Sequence, residues 1–501
     1  MASLIEIRKE RLAKAQLLRN LGINPYPSES HKDLSNKEVL DRFDKYEGEV
    51  LSLAGRLMSW RDMGEIAFGH IQDESGLIQL YIHKGELEFT DKDKQTIGAE
   101  HLGLIDIGDF VEARGKITKT KRGEISIAPT EIRMLAKSIR PLPEKWHGLQ
   151  DQEEKYRKRY LDILMDSEVK NVFKMRAEII ASIRDLLNSK HFLEVVTPTL
   201  QNLYGGASAR PFKTHINAYN EDVFLRIAPE LYLKRLLTGG YDRVFEFTTN
   251  FRNEGVDREH NPEFSVVEWY VAYKDYTFNM DLIEELFETI AKKLFGSSKF
   301  NYEGKELELK GPYPRKKYRE VIKEEFNVDI ESDSEETLRI KARELGINTD
   351  TLLTKEMLTD ALFKSFRSSI MGPLFITDYP KEMFPLAKPT NDGEFAEVFQ
   401  FYLGGFELVK AFTELNNPQI QLENFKSQEN QRAKGDEEAQ RMDYDFIEAM
   451  EYGMPPNSGV GVGIDRLTVL LTGSKAIRDV ILFPFMKDKD DQIQKDIYGI
   501  K

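Results

Sequence analysis

The run RVFEFTTNFRNEGVDREHNPEFSVVEWYVAY, at residues 243–273, strongly constrains the fold of this chain. Two stretches rich in aromatic and β-branched residues flank a polar loop at 255–261, a pattern that predicts a long β-hairpin. Because side chains alternate between the two faces of a strand, one face of the first strand carries Phe245, Phe247 and Phe251. The opposite face carries charged and polar side chains. The hairpin therefore predicts a sheet with one apolar face and one face that is not a core.

The polar face of this hairpin combines a cation, two carboxylates and two aromatic rings. Arg252 and Glu254 fall on the polar face of the first strand with Glu246 and Asn250, and Phe264, Glu268 and Tyr270 share one face of the second. An arginine fork can bind carboxylate and phosphate oxygens, a phenylalanine can stack on a planar base, and a glutamate can bind an ammonium group. The alternative is a solvent-facing sheet with charge pairs. Aromatic rings are costly to leave in water among such charges, which favours a ligand site.

A mixture of strand and helix patterns surrounds the hairpin. Runs of strands with helices between them predict an α+β domain with a largely antiparallel sheet, which we assign to residues 166–501. Two helical patterns at about 335–370 indicate a small inserted helical piece within that domain.

The N-terminal part of the chain has a different pattern. Residues 48–137 hold five short β-rich runs broken by glycine-containing turns, which is typical of an oligonucleotide-binding (OB-fold) β-barrel. Residues 1–47 predict a helical extension in front of the barrel, and 138–165 a proline-containing linker behind it.

The composition excludes several kinds of site. The 501 residues include no cysteine, which excludes disulfides, thiolate metal sites and a cysteine nucleophile. The N-terminal stretch lacks the apolar core of a secretory signal, and no run is long enough to span a membrane. We therefore expect a cytoplasmic protein with no membrane partner. With a net charge of −14, any nucleic-acid binding must rest on local basic patches.

Three motifs resemble those of the class II aminoacyl-tRNA synthetases. FRNEGVDREHNPEF is similar to their motif 2, FLEVVTPTL to motif 1 and GVGVGIDRLTVLL to motif 3. The upstream barrel resembles subclass IIb, and GGASARPF, RIAPELYLKRL and TELNNP are similar to the lysine enzymes of that subclass. The resemblance implies a class II antiparallel-sheet catalytic domain with an N-terminal OB-fold domain. It also implies ATP-dependent activation of L-lysine and its transfer to tRNA(Lys) by a homodimer built through motif 1.

The same resemblance implies an ATP-binding role for several residues. Arg252 would contact the α-phosphate and the amino-acid carboxylate, and Glu254 would accept from the adenine amino group. Phe264 would stack on adenine from one side and Arg466 from the other. His260 would reach the leaving phosphates. Adenylate formation of this kind depends on positioning and charge neutralisation, so we expect no protein nucleophile.

The resemblance further implies a pocket for lysine. Glu268 would hold the α-amine, while Glu230, Tyr270 and Glu414 would surround the terminal ammonium. Two carboxylates and a phenol suit a compact cation with three donors. Because two unpaired buried carboxylates are costly, neutral analogues should be rejected about 10⁴-fold. For Glu230 the alternative is compensation of a helix dipole. The full expected lysine-binding set is Gly206, Glu230, Arg252, Glu268, Tyr270, Phe412 and Glu414.

In the barrel, the resemblance implies three contacts with the tRNA anticodon. Phe68 would stack on a base, Gln79 would hydrogen-bond one, and Arg61 would lie near the backbone, which is how such barrels bind single strands. The alternatives are Phe68 as barrel core and Gln79 as an exposed strand residue. Relatives usually have a second arginine just before the equivalent of Arg61, whereas this chain has Trp60.

The stretch GGFELVKAFTELNN, at 404–417, places three charges in an otherwise strand-like run. Glu407 and Glu414 are separated by an odd number of positions, so a regular strand would point them to opposite faces. If both line the site, a bulge or twist must lie between 407 and 410.

This stretch also departs from the usual metal-binding pattern of the family. Most members have a glutamate at the position of Gln400 and an asparagine at that of Lys410, and these bind magnesium with the equivalent of Glu407. We therefore expect Lys410 to replace part of the cluster as a catalytic residue beside Arg252 and Arg466. Glu407 would remain the main protein ligand, and fewer Mg²⁺ ions would accompany ATP. The alternative is that Lys410 merely pairs with Glu407 or another acid.

Two other functions fit parts of the sequence. One is a lysine-activating paralogue that acts on a protein, although such paralogues typically lack the barrel. The other is a tRNA-binding protein with a weakened catalytic domain. The second function is disfavoured because the chain keeps Arg252, Glu254, Phe264, Glu268, Glu414 and Arg466.

Overall fold

The structure, a computed structural model, describes residues 3–143, 149–352, 354–433, 439–489 and 492–499. It divides into two compact units, Met1–Gln150 with Asp488–Lys501, and Asp151–Lys487. The predicted domain limits stay predictions. Within the range predicted as a linker, 144–148 lie outside the described residues, and two short helices, Gln152–Arg157 and Arg159–Met165, follow.

The first unit contains a closed five-stranded barrel, which confirms the predicted OB-type domain. Its strands pair in the order β1-β2-β3-β5-β4. They are β1 (Val50–Asp62), β2 (Ile66–Gln72), β3 (Leu77–His83), β4 (Phe110–Lys119) and β5 (Ile125–Ala136). The helices of this unit are Leu4–Asn20, Asn36–Asp41, Phe43–Tyr46 and Gln492–Tyr498.

Local sequence explains both the first helix and the closure of the barrel. Ser3 and Glu6 form a capping box at the start of the helix Leu4–Asn20. In the barrel, a Cβ atom at Gly115 would lie 2.0 Å from the carbonyl oxygen of Ala128. Only glycine therefore allows β4 and β5 to approach this closely.

The second unit is built on an eight-stranded sheet in the order β14-β15-β16-β17-β18-β11-β10-β6. The β6–β10 and β14–β15 pairs are parallel, and the other pairs of this sheet are antiparallel, which confirms the largely antiparallel prediction. The strands of the unit are β6 (Leu193–Glu194), β7 (Leu200–Gln201), β8 (Lys213–Ile216), β9 (Glu221–Leu225), β10 (Arg243–Phe251), β11 (Glu263–Ala272), β12 (Lys299–Tyr302), β13 (Lys305–Glu308), β14 (Arg315–Lys317), β15 (Leu374–Pro380), β16 (Phe395–Leu403), β17 (Phe406–Thr413) and β18 (Asn457–Gly463).

Helices pack against one face of this sheet and form the main core. Trp269 of β11 is fully buried there, and its indole Nε1 donates to Asn279 Oδ1 at 2.9 Å. This packing leaves the opposite face of β11 available for a site. The helices after the linker range are Ser167–Ser189, Glu230–Thr238, Tyr276–Phe295, Tyr318–Phe326, Glu335–Glu344, Lys355–Phe366, Pro418–Ala433, Tyr444–Glu451 and Ile464–Thr472.

Candidate active site

A cavity of about 360 Å³ opens on the polar face of the large sheet. The structure brings most of the predicted catalytic-domain site residues to its wall. These are Gly206, Glu230, Arg252, Glu254, His260, Phe264, Glu268, Tyr270, Glu407, Lys410, Phe412 and Arg466. Glu414 is fully buried and lies outside this lining.

The register of the β10–β11 hairpin explains why these side chains meet. Asn250 pairs with Phe264 and Glu246 with Glu268, so the predicted polar faces of the two strands coincide. Glu246 has a different environment from the others. It pairs with Arg226 at 2.6 Å and accepts from Thr197 Oγ1 at 2.7 Å, and all of these groups are buried. Glu246 therefore holds neighbouring segments together and does not line the cavity.

The β17 strand contains the predicted bulge. Phe401 pairs with Val409 and Tyr402 pairs with Glu407, which leaves Leu408 as an extra residue. Leu408 is buried, and Glu407 and Lys410 on either side of it both line the cavity. An extra residue reverses the side-chain alternation beyond it. The expectation of a bulge between 407 and 410 is thus confirmed.

Three cations, Arg252, Lys410 and Arg466, form what we call the cation end of the cavity. The Arg252 guanidinium lies 5.0 Å from the centre of the Phe264 ring, and its Nε has no hydrogen-bond partner among the described residues. Burial lowers the pKa of Arg252, and Glu254 and Glu268 oppose that shift. One Arg466 nitrogen donates to the carbonyl oxygen of Glu407 at 3.2 Å.

Lys410 is not paired with an acid in the described part of the chain. No carboxylate oxygen there lies within 4.0 Å of its Nζ, which instead lies 4.5 Å from the centre of the Phe384 ring. The nearest cation to Glu407 is Arg367, at 3.8 Å. The side chain of Lys410 is reached by solvent through the cavity, yet the surrounding walls lower its pKa, an effect that Glu407 opposes. The alternative of a simple pair with Glu407 is therefore wrong.

His260, in the loop between β10 and β11, lies at the mouth of the cavity. Its Nδ1 is 2.9 Å from Asp257 Oδ1, and both side chains are exposed. The same Asp257 oxygen accepts from the backbone N–H groups of Glu259 and His260. The turn is therefore organised by Asp257, and His260 is oriented by it.

Glu268 and Tyr270 project from the middle of β11 into the cavity. The Tyr270 hydroxyl donates to Glu268 Oε2 at 3.2 Å. Burial, followed by the nearby charge of Glu230, raises the pKa of Glu268 to about 8. This carboxyl group is therefore prepared to lose a proton when a cation binds beside it.

The carboxylate end of the cavity, which consists of Glu230, Lys234, Tyr270 and Glu414, differs from its prediction. The prediction that the two glutamates are unpaired is wrong. Lys234 lies one helical turn after Glu230, and its Nζ is 2.6 Å from Glu230 Oε1. The same ammonium is paired with Glu414 Oε2, and the Lys234 and Glu414 side chains are completely buried. The ELYLK spacing could have indicated an i,i+4 pair, but Lys234 was not recognised as part of the site.

Two glycines allow this end to pack so closely. A Cβ atom at Gly459 would lie 2.3 Å from Glu414 Oε1 and 2.3 Å from a ring atom of Tyr270. At Gly206, where φ is +84°, a Cβ atom would lie 2.8 Å from that of Glu230. Both positions require glycine because a larger residue would displace a carboxylate or the phenol. Gly459, the first glycine of GVGVG, thus allows two side chains of this end to approach the backbone closely.

Comparison with known proteins agrees with this architecture. Residues 151–487 match the family described as tRNA synthetases class II (D, K and N), and 51–135 match an OB-fold nucleic acid binding domain. A lysine–tRNA ligase of Pelotomaculum thermopropionicum is 44% identical over 97% of this chain and 95% of its own length. Those of Thermotoga maritima (43%, over 97% and 96%) and Thermosipho melanesiensis (44%, over 99% and 99%) are similar throughout. The chain belongs to the lysine–tRNA ligase family of class II synthetases.

Ligases of this family use ATP with Mg²⁺. Few side chains near the cation end could act as ligands to such an ion. Glu407 is the carboxylate there, and Gln400, opposite Lys410 on β16, accepts at 2.7 Å from the Tyr402 hydroxyl. No group of three or more His, Asp or Glu side chains in the described ranges could hold a metal ion. One carboxylate suffices for an Mg²⁺ ion bound chiefly through substrate phosphates. The residues present therefore fit Mg²⁺ that is bound chiefly through substrate phosphates.

On the barrel of this ligase-family chain, the predicted anticodon residues lie on neighbouring strands. The Phe68 ring is stacked on Tyr81, with centroids 5.3 Å apart, and Tyr81 contacts His83 edge-on at 4.4 Å. Arg61 is exposed and pairs across the strands with Phe68. Sequence reasoning missed Tyr81, although it pairs with Phe68 in the register.

Gln79 is buried, and its side-chain amide already has hydrogen-bond partners. Its Nε2 donates to Glu124 at 2.7 Å, and its Oε1 accepts from Ser126 at 2.8 Å. Glu124 also lies 3.0 Å from His70 Nε2. A base that takes a hydrogen bond from Gln79 must first displace Glu124. Trp60, at the place of the second arginine in relatives, packs against the barrel core.

None of the described helices has the length and apolar character needed to cross a membrane.

Proposed function

We propose that this protein activates L-lysine with ATP to lysyl-adenylate and transfers the lysyl group to tRNA(Lys) in the cytoplasm. The observation that carries the proposal is the arrangement of charge in one cavity. A cation end suits the phosphates of ATP, and a carboxylate end suits the ammonium of lysine. Membership of the lysine–tRNA ligase family supports the same substrates.

At the cation end, each side chain has a role that its chemistry supports. Arg252 binds the α-phosphate and the lysine carboxylate, and the free Nε of its buried guanidinium supports this. Phe264 stacks on adenine opposite Arg466, and Glu254 accepts from the adenine amino group. His260, oriented by Asp257, contacts the leaving phosphates.

At the carboxylate end, Glu268 binds the α-amine of lysine. Glu230 and Tyr270 accept from its terminal ammonium, and Phe412 covers its methylene chain. Gly206 lets the backbone lie against Glu230, and a larger residue there would displace that carboxylate. Glu414 lies behind the cavity wall and pairs with Lys234, so its negative charge acts on the terminal ammonium from a distance.

The chemistry follows from this placement. The carboxylate of lysine attacks the α-phosphorus of ATP, the bond to the β-phosphate oxygen breaks, and pyrophosphate leaves with that electron pair. A ribose hydroxyl of tRNA then attacks the lysyl carbonyl, and AMP leaves. Fixed cations neutralise the charge that moves onto the phosphates, so their contribution is electrostatic and positional.

For magnesium, we infer a reduced requirement for protein ligands. Glu407 would hold one Mg²⁺ ion, and that ion would neutralise phosphate charge when bound. Lys410 supplies a positive charge at the position where relatives have a neutral residue, and its lack of an ionic partner supports this role. Gln400 bonds with Tyr402 and leaves Glu407 as the available acid.

Counting bound Mn²⁺ ions tests this inference without relying on activity. In the presence of a non-hydrolysable ATP analogue, electron paramagnetic resonance should count fewer ions on the wild-type protein than on a Gln400→Glu/Lys410→Asn variant. Lys364→Met, which removes an exposed lysine paired with Asp360, is the control and should leave the count unchanged. An equal count for the wild type and the double variant would overturn the inference.

In the barrel, we assign anticodon contacts to Arg61, Phe68 and Gln79. The Phe68 ring is stacked on the Tyr81 ring, and two adjacent aromatic rings support a stacking surface for more than one base. Gln79 would exchange its bond with Glu124 for one with a base edge.

We further infer a homodimer formed through the motif 1 region. Val196 is 91% exposed, and Leu193 and Leu200 are each nearly half exposed, so an apolar strip follows this segment. Sedimentation should give a dimer for the wild type and a monomer for Val196→Glu. A wild-type monomer at micromolar concentration would contradict this.

ATP–pyrophosphate exchange with each amino acid in turn is the decisive experiment for the function. We expect lysine alone to support rapid exchange, and lysyl-tRNA to form only when tRNA is added. Exchange without transfer to tRNA would favour the protein-modifying alternative. Binding of tRNA without exchange would favour the weakened-enzyme alternative.

A further inference from the structure

Arg176 and Asp465 form a largely buried ion pair that none of the proposed roles uses. Arg176 lies in the helix Ser167–Ser189, and Asp465 lies in the first turn of the helix Ile464–Thr472. Nη1 of Arg176 is 2.6 Å from Oδ1 of Asp465, and the Asp465 side chain is 3% exposed. A buried ion pair adds little stability by itself, so its position in the fold needs another explanation.

Ser265 of β11 joins this ion pair through two of its groups. Its backbone N–H donates to Asp465 Oδ2 at 2.8 Å, and its hydroxyl accepts from Arg176 Nη2 at 2.9 Å. We call these three residues, Arg176, Ser265 and Asp465, the clamp. The clamp connects two helices and one strand at a single point.

The clamp lies where the pairing between β11 and β18 ends. The last pair is Val266 with Gly463, and the chain then turns from β18 into the helix Ile464–Thr472. Beyond this pair, the Asp465 carboxylate takes the place of a strand and accepts from the Ser265 N–H. The clamp therefore fixes the end of β11 against the first turn of the helix.

Each of these two elements also carries a side chain that is proposed to cover adenine. Phe264 precedes Ser265, and Arg466 follows Asp465. Because neighbours on a strand point to opposite faces, Phe264 projects into the cavity while the Ser265 hydroxyl points towards Arg176. The distance between the Phe264 ring and the Arg466 guanidinium therefore depends on how the clamp holds the two backbones.

The helix that carries Arg176 is anchored in the main core. Ile179 and Ile183 lie on the same face of this helix as Arg176, and both are fully buried. A planar guanidinium can also bond two partners in fixed directions, which a single ammonium cannot do. Arg176 thus connects a fixed part of the core with the end of β11.

We propose that Arg176 is a positioning residue for ATP: through the clamp, it sets the gap between Phe264 and Arg466 in which adenine stacks. The proposal rests on the proposed function, since it takes ATP as the nucleotide and these two side chains as the covers of its base. It extends that function to a residue that contacts neither substrate.

Loss of the guanidinium should act through position and not through net charge. Burial raises the pKa of Asp465, and Arg176 is the group that opposes this shift most. In Arg176→Met, Asp465 can therefore take up a proton, which leaves the clamp as neutral as before. What the variant loses is the connection to the helix Ser167–Ser189 and the bond to the Ser265 hydroxyl.

The test uses two competitors that each contain one part of ATP. Adenosine has the base without phosphates, and tripolyphosphate has the phosphates without a base. Each displaces radiolabelled ATP from the full-length protein in equilibrium dialysis with Mg²⁺. In Arg176→Met, the dissociation constant of adenosine should rise about tenfold, which is within the loss expected for one stacked base. That of tripolyphosphate should change less than about twofold.

The kinetics of pyrophosphate exchange should show the same selectivity. In Arg176→Met, the KM for ATP should rise about tenfold. The KM for lysine should change less than about twofold, because the carboxylate end is untouched. A purely structural role would lower the amount of active protein, and with it kcat, without changing these constants. Arg319→Met, at an exposed pair with Glu331, is the control and should keep the wild-type constants.

Two finer variants decide the matter if Arg176→Met does not fold. Arg176→Lys and Ser265→Ala both allow an ion pair with Asp465, and both remove the bond between the guanidinium and the Ser265 hydroxyl. Each should weaken adenosine binding about threefold, the effect of one hydrogen bond. Tripolyphosphate binding should be unchanged in both.

The outcomes are distinct. Wild-type affinity for adenosine in these variants, or equal losses for adenosine and tripolyphosphate, would overturn the proposal for Arg176. A wild-type protein that binds ATP but has no lysine-dependent exchange would overturn the proposed function, and the comparison of adenosine with tripolyphosphate would still decide the role of Arg176.

Discussion

The two ends of the active-site cavity handle charge in opposite ways. At the carboxylate end, Lys234 already pairs with Glu230 and Glu414. At the cation end, Arg252 has a nitrogen without a partner, and Lys410 has no acid within 4.0 Å in the described part of the chain. At the carboxylate end, the charges of the side chains cancel to within one negative charge. The cation end has an excess of positive charge.

This difference corresponds to the ligands that each end is proposed to receive. The phosphates of ATP carry several negative charges, so unpaired cations gain most when ATP arrives. The side chain of lysine carries one positive charge. Two carboxylates without a cation of their own would carry more negative charge than that ammonium can neutralise. Variants of the two ends should therefore fail in different assays.

The largest effect is expected from Arg252→Lys. Lysine cannot reproduce the two parallel hydrogen bonds of a guanidinium, so kcat/KM for pyrophosphate exchange should fall about 10³-fold. Steady-state exchange at varied ATP and lysine measures the effect, and both substrates should be affected. Arg319→Lys, at an exposed pair with Glu331, is the matched control. Activity within tenfold of wild type would show that Arg252 does not bridge the substrates.

Glu230→Gln should act at the carboxylate end alone. Loss of this carboxylate removes a negative charge that would pair with the substrate ammonium. The kcat/KM for lysine should therefore fall about 10²-fold. The KM for ATP should stay near the wild-type value. Glu324→Gln, at an exposed pair with Lys316, controls for loss of an acid. Nearly normal lysine activation would remove Glu230 from the pocket.

Both variants concern residues that sequence patterns can find. The positions of Arg252, Glu268 and Tyr270 depend on the alternation of strand side chains and on one hairpin, which are local properties. The bulge at Leu408 was predictable for a similar reason, because Glu407 and Lys410 are an odd number of positions apart and both line the cavity. The class II fold itself followed from three motifs, one of which lies in this hairpin.

Lys234 shows why the remainder was not predictable. An i,i+4 pair of glutamate and lysine usually indicates a solvated helix face. Its burial depends on Glu414, which reaches it from the distant β17 segment. The occupied state of Gln79 is similar, since Glu124 and Ser126 approach it from another part of the barrel. Long-range partners of this kind leave no periodic signal.

The pH dependence of lysine use should separate the two ends further. The pKa of Glu268 is raised to about 8, chiefly by burial, so this group is mostly protonated at pH 6.5 in the empty cavity. Binding of the α-ammonium requires the carboxylate, and the proton must leave. Between pH 6 and 7.5, kcat/KM for lysine should therefore rise up to about tenfold per pH unit.

The slope should be absent in Glu268→Gln, which has no proton to release. The KM for ATP should show no matching slope. Burial lowers the pKa of Arg252, but the shift starts from a value far above this pH range, so Arg252 keeps its charge. A flat lysine profile in the wild type would show that Glu268 is ionised before lysine binds.

The smallest effect is expected from Phe68→Ala, which lies in the other unit of the protein and leaves both ends of the cavity intact. Loss of one stacked base costs about 1–3 kcal/mol, so kcat/KM for tRNA should fall by about tenfold or somewhat more. Pyrophosphate exchange should be unchanged. Phe89→Ala, at a side chain that is 83% exposed in the same unit, is the control for loss of an aromatic ring. Equal losses in exchange and transfer would mean that Phe68 supports the fold, and that the ring stacked on Tyr81 is not a base-binding surface.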